Sequence, residues 1–243
     1  MLNAVVFAEA ASDAEIVCGL SDRIFNEIGN IPREELPDCR NWLGHESNAT
    51  FIEKNRITYL SNQLKEGSKR PRSLGHIDGK PQGSYTAFWR KAIELVVAIS
   101  KSQPVAGVLI HCDVDTKYGQ HKDIEQACNP DRPRLKFVLA TPDREMEAWL
   151  LNGFIPENPA EKKLLAAWKR KLKFAPCTEA ERASIGDRDP KKIINDLTND
   201  NDERKRQCWY QTALSDLRRN GQNTNLAKFL DEVETSFLPL LSI

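Results

Sequence analysis

Short, wholly apolar runs alternate along this chain with longer stretches whose apolar residues recur at helical spacing. Ala4–Ala8 (AVVFA) is the first run, and its β-branched and aromatic content predicts a buried strand. Ser12 fits an N-cap with Glu15 completing a capping box, and Ile16, Val17, Leu20, Ile24, Phe25 and Ile28 carry a helix up to Gly29. Residues 30–84 are broken by repeated Pro and Gly, leaving an irregular insertion with one helix near Ile52–Leu64. Tyr85–Lys101 has amphipathic periodicity. Val105–His111 (VAGVLIH) and Leu135–Ala140 (LKFVLA) predict two more buried strands, with a short helix at Lys122–Ala127 between them and another at Glu145–Leu151.

Strands alternating with helices imply βαβ units, hence an α/β fold with a mainly parallel, Rossmann-like sheet flanked by helices. Beyond Gly153 the pattern is helical throughout, at Glu161–Leu172, Pro190–Leu197, Glu203–Asn220 and Leu226–Leu241. The expected organisation is therefore an α/β domain over 1–155 and a helical C-terminal region over 156–243.

Composition narrows the setting. Lys+Arg and Asp+Glu are 35 each, so the net charge of +0 provides no global field for a polyanion. Any affinity for nucleic acid must come from a local basic patch or a partner. The 6 cysteines form no CxxC pair, which argues against zinc ribbons and disulfide scaffolds and for reduced thiols. The N-terminal apolar run is too short for a signal peptide, and no run reaches spanning length. A soluble, cytoplasmic protein without a membrane partner is expected.

The candidate chemistry lies where the predicted strands end. In parallel α/β sheets, ligands collect at the carboxyl ends of the strands. Glu9 and Asp13 follow the first strand, Asp113 and Asp115 the second, and Asp143, Glu145 and Glu147 the third. Taken singly, Glu9 and Asp13 suit a helix N-terminus, where a negative charge gains about 0.3–1 kcal/mol, and Asp113 and Asp115 suit a turn. One metal site accounts for all the placements together. Crowded carboxylates repel, and oxygen-only ligands match Mg²⁺ or Mn²⁺. The chemistry this favours is phosphoryl transfer or phosphodiester cleavage.

The segments V-V-F-A-E-A-A-S-D and G-V-L-I-H-C-D-V-D resemble the two motifs of Toprim domains, a strand ending in Glu and a strand ending in Asp-x-Asp. The Glu9/Asp13 spacing is similar to that of the nuclease branch, the OLD family. T-P-D-R-E-M-E-A-W-L-L with N-x-N-L-x-x-F-L resembles compact Toprim-like proteins encoded beside ATPases in bacterial phage-defence operons. The resemblance implies that Glu9 is a metal ligand or general base. It implies also that Asp113 and Asp115 hold the ion with Asp13, that Glu145 and Glu147 stand near it, and that Lys117 neutralises transition-state charge. The expected protein is a metal-dependent nuclease acting on DNA or RNA in antiviral defence, with an ATPase partner; self-association into a homo-oligomer is compatible. The chain departs from the motif in having Ala10 where Gly is usual, and in the long insertion before Asp113.

Lys69, Arg70 and Arg72 in the insertion are candidate phosphate contacts, set against a plain solvated loop. Lys169, Arg170, Lys171 and Lys173 could form a phosphate-binding patch or a solvated helix face, and the Pro190–Lys192 segment a backbone contact or a simple helix start. His111 could orient a ligand, although a histidine at a strand end is more often structural. Two other functions stay open. One is a non-catalytic Toprim-like binding or regulatory subunit. The other is a haloacid-dehalogenase-like phosphatase, which places Thr two positions after the second Asp, whereas Thr116 and Lys117 follow Asp115 here.

Overall fold

A computed structural model describes residues 1–46, 48–65, 76–77, 80–81, 84–113, 119–128, 135–183, 186 and 188–241. It begins with strand β1 (Leu2–Ala8) and helix α1 (Ala11–Glu27). The chain then passes through α2 (Leu36–Cys39), β2 (Arg40–Leu43), β3 (Ile52–Glu53), a 3-10 turn at Lys54–Arg56 and α3 (Ile57–Lys65). A two-residue antiparallel ladder pairs β4 (His76–Ile77) with β5 (Lys80–Pro81). After α4 (Ser84–Ile99) come β6 (Gly107–His111), α5 (Gly119–Ala127), β7 (Lys136–Ala140) and α6 (Met146–Gly153). The C-terminal part supplies α7 (Pro159–Leu172), α8 (Pro190–Thr198), α9 (Asp202–Tyr210), α10 (Leu214–Asn220) and α11 (Leu226–Glu232), then a π-helical turn at Val233–Phe237 and a 3-10 turn at Leu238–Leu240.

The main sheet runs β2-β1-β6-β7, all parallel, and β3 extends the β2 edge by pairing with the far end of β1. Both faces are covered, so the strands read as continuous apolar runs. Successive residues still alternate between two cores. Leu2, Ala4, Val6, Leu109, Val138 and Ala140 face α1 and the C-terminal helices, while Val5, Phe7, Val108, Ile110 and Leu139 face α3, α4 and α5. Phe7 meets Trp89 edge-on at 6.2 Å in the second core. Trp149 of α6 stacks on Phe229 of α11 at 5.1 Å in the first. At the open edge of β7, the Glu232 carboxylate accepts the Leu139 N–H at 3.0 Å.

The expected α/β architecture with a mainly parallel sheet is present; several local expectations need correction. Ser12 is not the N-cap: Ala10 holds that position, and Asp13 accepts its N–H at 3.1 Å. The 30–84 stretch has its expected helix as α3, but it also carries β2 and β3. Those strands are too short, and β2 too polar at Arg40 and Asn41, to register as apolar runs. The helix expected over Glu203–Asn220 breaks at Gln211–Ala213. The buried Arg23 guanidinium takes up the Trp209 and Thr212 carbonyls at 2.5 and 2.8 Å, and the Thr212 hydroxyl donates to Gly153 O at 2.6 Å. Tertiary bonds thus replace helical ones. Leu226–Leu241 likewise gives way from α to π and 3-10 turns after Glu232. All cysteines are free thiols. Among the described residues no helix is long and apolar enough to cross a membrane.

Candidate functional site

The strand order reverses at β1: the chain moves outward to β2 and β3, then returns to place β6 on the other flank. Ligands of open parallel sheets bind at such a switch point, outside the carboxyl ends of the strands. Phe7 pairs with Ile110 and Ala8 with Glu53, so Glu9 emerges level with Lys54 on one side and Cys112 on the other. His111 pairs with Ala140, which brings Asp113 beside the loop that carries Asp143, Glu145 and Glu147. The register alone therefore gathers the carboxylates of three strand ends on one rim.

Two clusters build the rim. In the first, Lys54 Nζ donates to Glu9 Oε1 at 2.6 Å and to Cys112 Sγ at 3.1 Å, and the Tyr85 hydroxyl meets that sulfur at 3.0 Å. Burial pushes the Glu9 carboxyl up, but the Lys54 ammonium and His111 outweigh it and hold the group below its ordinary range. Burial raises the Cys112 thiol despite Tyr85 and Lys54, and burial with the adjacent sulfur pushes Tyr85 up to about 12. Glu9 is thus ionised and Cys112 is a thiol at neutral pH.

In the second cluster, His111 is fully buried with Asp13 Oδ2 3.7 Å from Nδ1 and Asp113 Oδ1 3.4 Å from Nε2. These distances lie within ion-pair reach, yet neither ring nitrogen nor Asp113 Oδ1 has an aligned hydrogen-bond partner. Burial raises the Asp13 carboxyl, as do the charges of Asp113 and Glu9, against the pull of His111. Glu147, in the first turn of α6, is raised by burial and by Asp113 and Asp13. Glu145 is pushed up to about 7, first by burial, then by Asp189, Glu147 and Asp113, with Lys191 opposing. Burial also raises Asp143. Arg144, between them, has a left-handed backbone (φ 77) that costs a non-glycine residue roughly 1 kcal/mol or more. Its guanidinium donates to Glu181 O at 3.1 Å. Thr224 O accepts the Asp143 N–H at 3.1 Å, and Asn225 Nδ2 donates to Thr141 O at 2.9 Å, so the C-terminal helices fix this loop.

These shifts have a measurable consequence. A carboxyl raised by folding binds its proton in the folded state before the unfolded one, so stability grows as pH falls through the folded value. For Glu145 the window runs from about 7 down to the ordinary 4.5. Discounted for solvent screening, the effect is about 1–2 kcal/mol. The metal-free protein is expected to melt higher at pH 5.5 than at pH 7.5, and Glu145→Gln is expected to flatten that dependence. A Tm that rises with pH over this range contradicts the assignment.

Of the residues singled out from sequence, the rim brings together Glu9, Asp13, Asp113, Glu145 and Glu147. Asp115, Lys117, Lys69, Arg70 and Arg72 lie outside the described residues. Sequence reading missed Lys54, Cys112, Tyr85, Asp189 and Lys191 as participants. Lys54 had a signal, since it follows a strand end, but that strand is two residues long. Among the described residues, no three carboxylate, imidazole or thiol groups converge closely enough to hold a metal ion as they stand.

Elsewhere, a cavity of about 590 Å³ opens between α1, β2 and α9, lined in part by Cys18, Trp42, Trp209 and Tyr210. Its charged groups are already matched: Arg40 with Asp22 at 2.6 Å, Arg206 with Glu15 at 3.3 Å, and Arg33 with the Tyr210 hydroxyl. Among the described residues, three of the five buried side-chain atoms left without a hydrogen-bond partner, both His111 ring nitrogens and Asp113 Oδ1, belong to the rim. Comparison with protein-family models, curated proteins and solved structures finds no match to this chain.

Proposed function

We propose that the rim binds a divalent cation, Mg²⁺ or Mn²⁺, and that the protein is a Toprim-like, metal-dependent nuclease hydrolysing phosphodiester bonds of DNA or RNA. The observation that carries this reading is the convergence of Glu9, Asp13, Asp113, Glu145 and Glu147 at the switch point. Asp13, Glu145 and Glu147 all hold protons more tightly than usual, because burial and mutual charge disfavour ionisation. An oxygen-ligated cation relieves both penalties. The donor chemistry fits, since Asp113 Oδ1 is buried without a hydrogen-bond partner. The described side chains do not close a shell as they stand, so binding entails their movement or a share taken by Asp115.

When bound, the ion supplies Lewis-acid activation of a phosphoryl oxygen and of water. Glu9, kept ionised by Lys54, accepts the proton of the attacking water. Lys54 itself places a cation where phosphate charge would gather, the part that the motif resemblance gives to Lys117. His111 spaces Asp13 from Asp113. An ATPase partner and a role in phage defence belong to the same reading, on the motif resemblance alone.

The test is incubation of labelled DNA and RNA with the purified protein in Mg²⁺, Mn²⁺ or EDTA. Cleavage with metal and none in EDTA is the expected result. The Glu9–Lys54 pair favours a second reading, since it satisfies Glu9 with no metal present: a non-catalytic subunit. The folded protein failing to cut either substrate, alone or with its ATPase partner, would decide for that reading.

A further inference from the structure

Helix α7 carries the least compensated charge among the described residues. Lys162, Lys163, Lys169, Arg170 and Lys171 on the helix and Lys173 at its C-cap are all exposed. None of these six forms an ion pair among the described residues; Arg170 Nε donates to Ala166 O at 3.4 Å and Lys171 Nζ lies over the Trp168 ring at 4.5 Å. Several cations on other helices of the C-terminal part are paired: Arg204 with Glu161 at 3.0 Å, Lys205 with Asp200 at 2.5 Å, Arg219 with Asp216 at 2.6 Å. A chain of net charge +0 thus concentrates six unmatched cations in twelve consecutive positions.

Helix electrostatics explains part of this. Lys169, Arg170 and Lys171 in the last turn complement the helix dipole. Lys162 and Lys163 stand near the other end, where the dipole disfavours cations. Solubility alone does not call for uncompensated clustering. The buried face of α7, with Trp168 and Leu172, is spent on packing, and Leu164 at 37% is its one exposed large apolar residue. A membrane-surface helix needs an exposed apolar face. Protein interfaces are depleted in lysine and enriched in aromatic anchors. A surface of Lys, Arg and Ala fits phosphates. From Lys162 to Lys171 the helix rises about 14 Å, the length over which one duplex strand presents about four phosphates.

We propose that α7 is a sequence-independent binding surface for the phosphate backbone of nucleic acid. Its position supports this: α7 packs on α8, whose first turn brings Lys191 to Glu145 and Glu147. The surface and the rim thus share one helix. The inference adds a substrate-holding element to the nuclease reading, but binding is read without cleavage and stands or falls separately.

The test is fluorescence anisotropy of a labelled 20-mer, as duplex and as single strand, in EDTA from 50 to 200 mM salt. Wild type is compared with Lys163→Gln/Arg170→Gln/Lys171→Gln, and circular dichroism and Tm confirm that the variant folds. The expected result is binding by wild type and a variant whose log K against log salt slope is shallower by about 2–3. Binding without cleavage in Mg²⁺, alone or with the ATPase partner, upholds α7 and overturns the nuclease. Overturning α7 takes no binding at 50 mM salt, an unchanged slope in the folded variant, or binding to vesicles containing phosphatidylserine but not to nucleic acid.

Discussion

Replacing Asp113 by asparagine is expected to abolish metal-dependent cleavage without weakening the metal-free fold. Losing a partner outside the direct ligands typically costs about 10–100-fold in metal affinity or activity, and a direct ligand should cost more. Asp113 is the carboxylate common to the rim: its charge raises Asp13, Glu145 and Glu147, and its buried Oδ1 faces His111 without an aligned bond. Removing that charge eases the repulsion, so Tm in EDTA should hold or rise. Wild type should gain about 2.7 kcal/mol at a metal concentration 100 times Kd, and Asp113→Asn should lose that gain. The measurement pairs cleavage rate with Tm in Mg²⁺ and EDTA. A variant that cuts as wild type, or that keeps the metal-induced rise in Tm, removes Asp113 from the site.

Replacing Trp149 by alanine is expected to lower unfolding free energy by about 3–5 kcal/mol. For a chain of this size that is a fall in Tm of roughly 10 °C. Trp149 is 1% exposed, stacks on Phe229 at 5.1 Å and donates its indole N–H to Thr224 O at 2.7 Å. The same carbonyl takes the Asp143 N–H. Next to it Asn152 donates to Cys177 O and Asn220 O at 3.1 and 3.0 Å and accepts from the Thr224 hydroxyl at 2.6 Å. Alanine opens a cavity where the helices after Gly153 clamp the loop bearing Glu145. Trp149→Phe keeps the stack and should cost much less. Denaturation of both variants checks this, and a loss below 1 kcal/mol for alanine would show that the clamp carries little.

What the sequence made legible follows from run length. β1, β6 and β7 announce themselves because strands buried on both faces are continuous apolar runs. From those three runs came the parallel sheet and the rim carboxylates. β2 and β3 could not be read that way, being four and two residues long with Arg40 and Asn41 at the start of one. Missing β3 meant missing Lys54, although the rule that found Glu9 applies to it equally. Tyr85, Asp189 and Lys191 reach the rim from helices distant in sequence, which no local pattern discloses. The break at Gln211–Ala213 was equally illegible, because the groups that stabilise it, Arg23 and Gly153, stand far away along the chain.

The Glu232 carboxylate seated on the Leu139 N–H bears on how copies of this chain can meet. An open sheet edge is a template for another strand. Here a side chain of α11 already occupies a donor that an incoming strand would need. Edge-to-edge pairing through β7 would have to evict it and leave a charge without its partner. Self-assembly of this protein by strand addition at the β7 edge is therefore disfavoured.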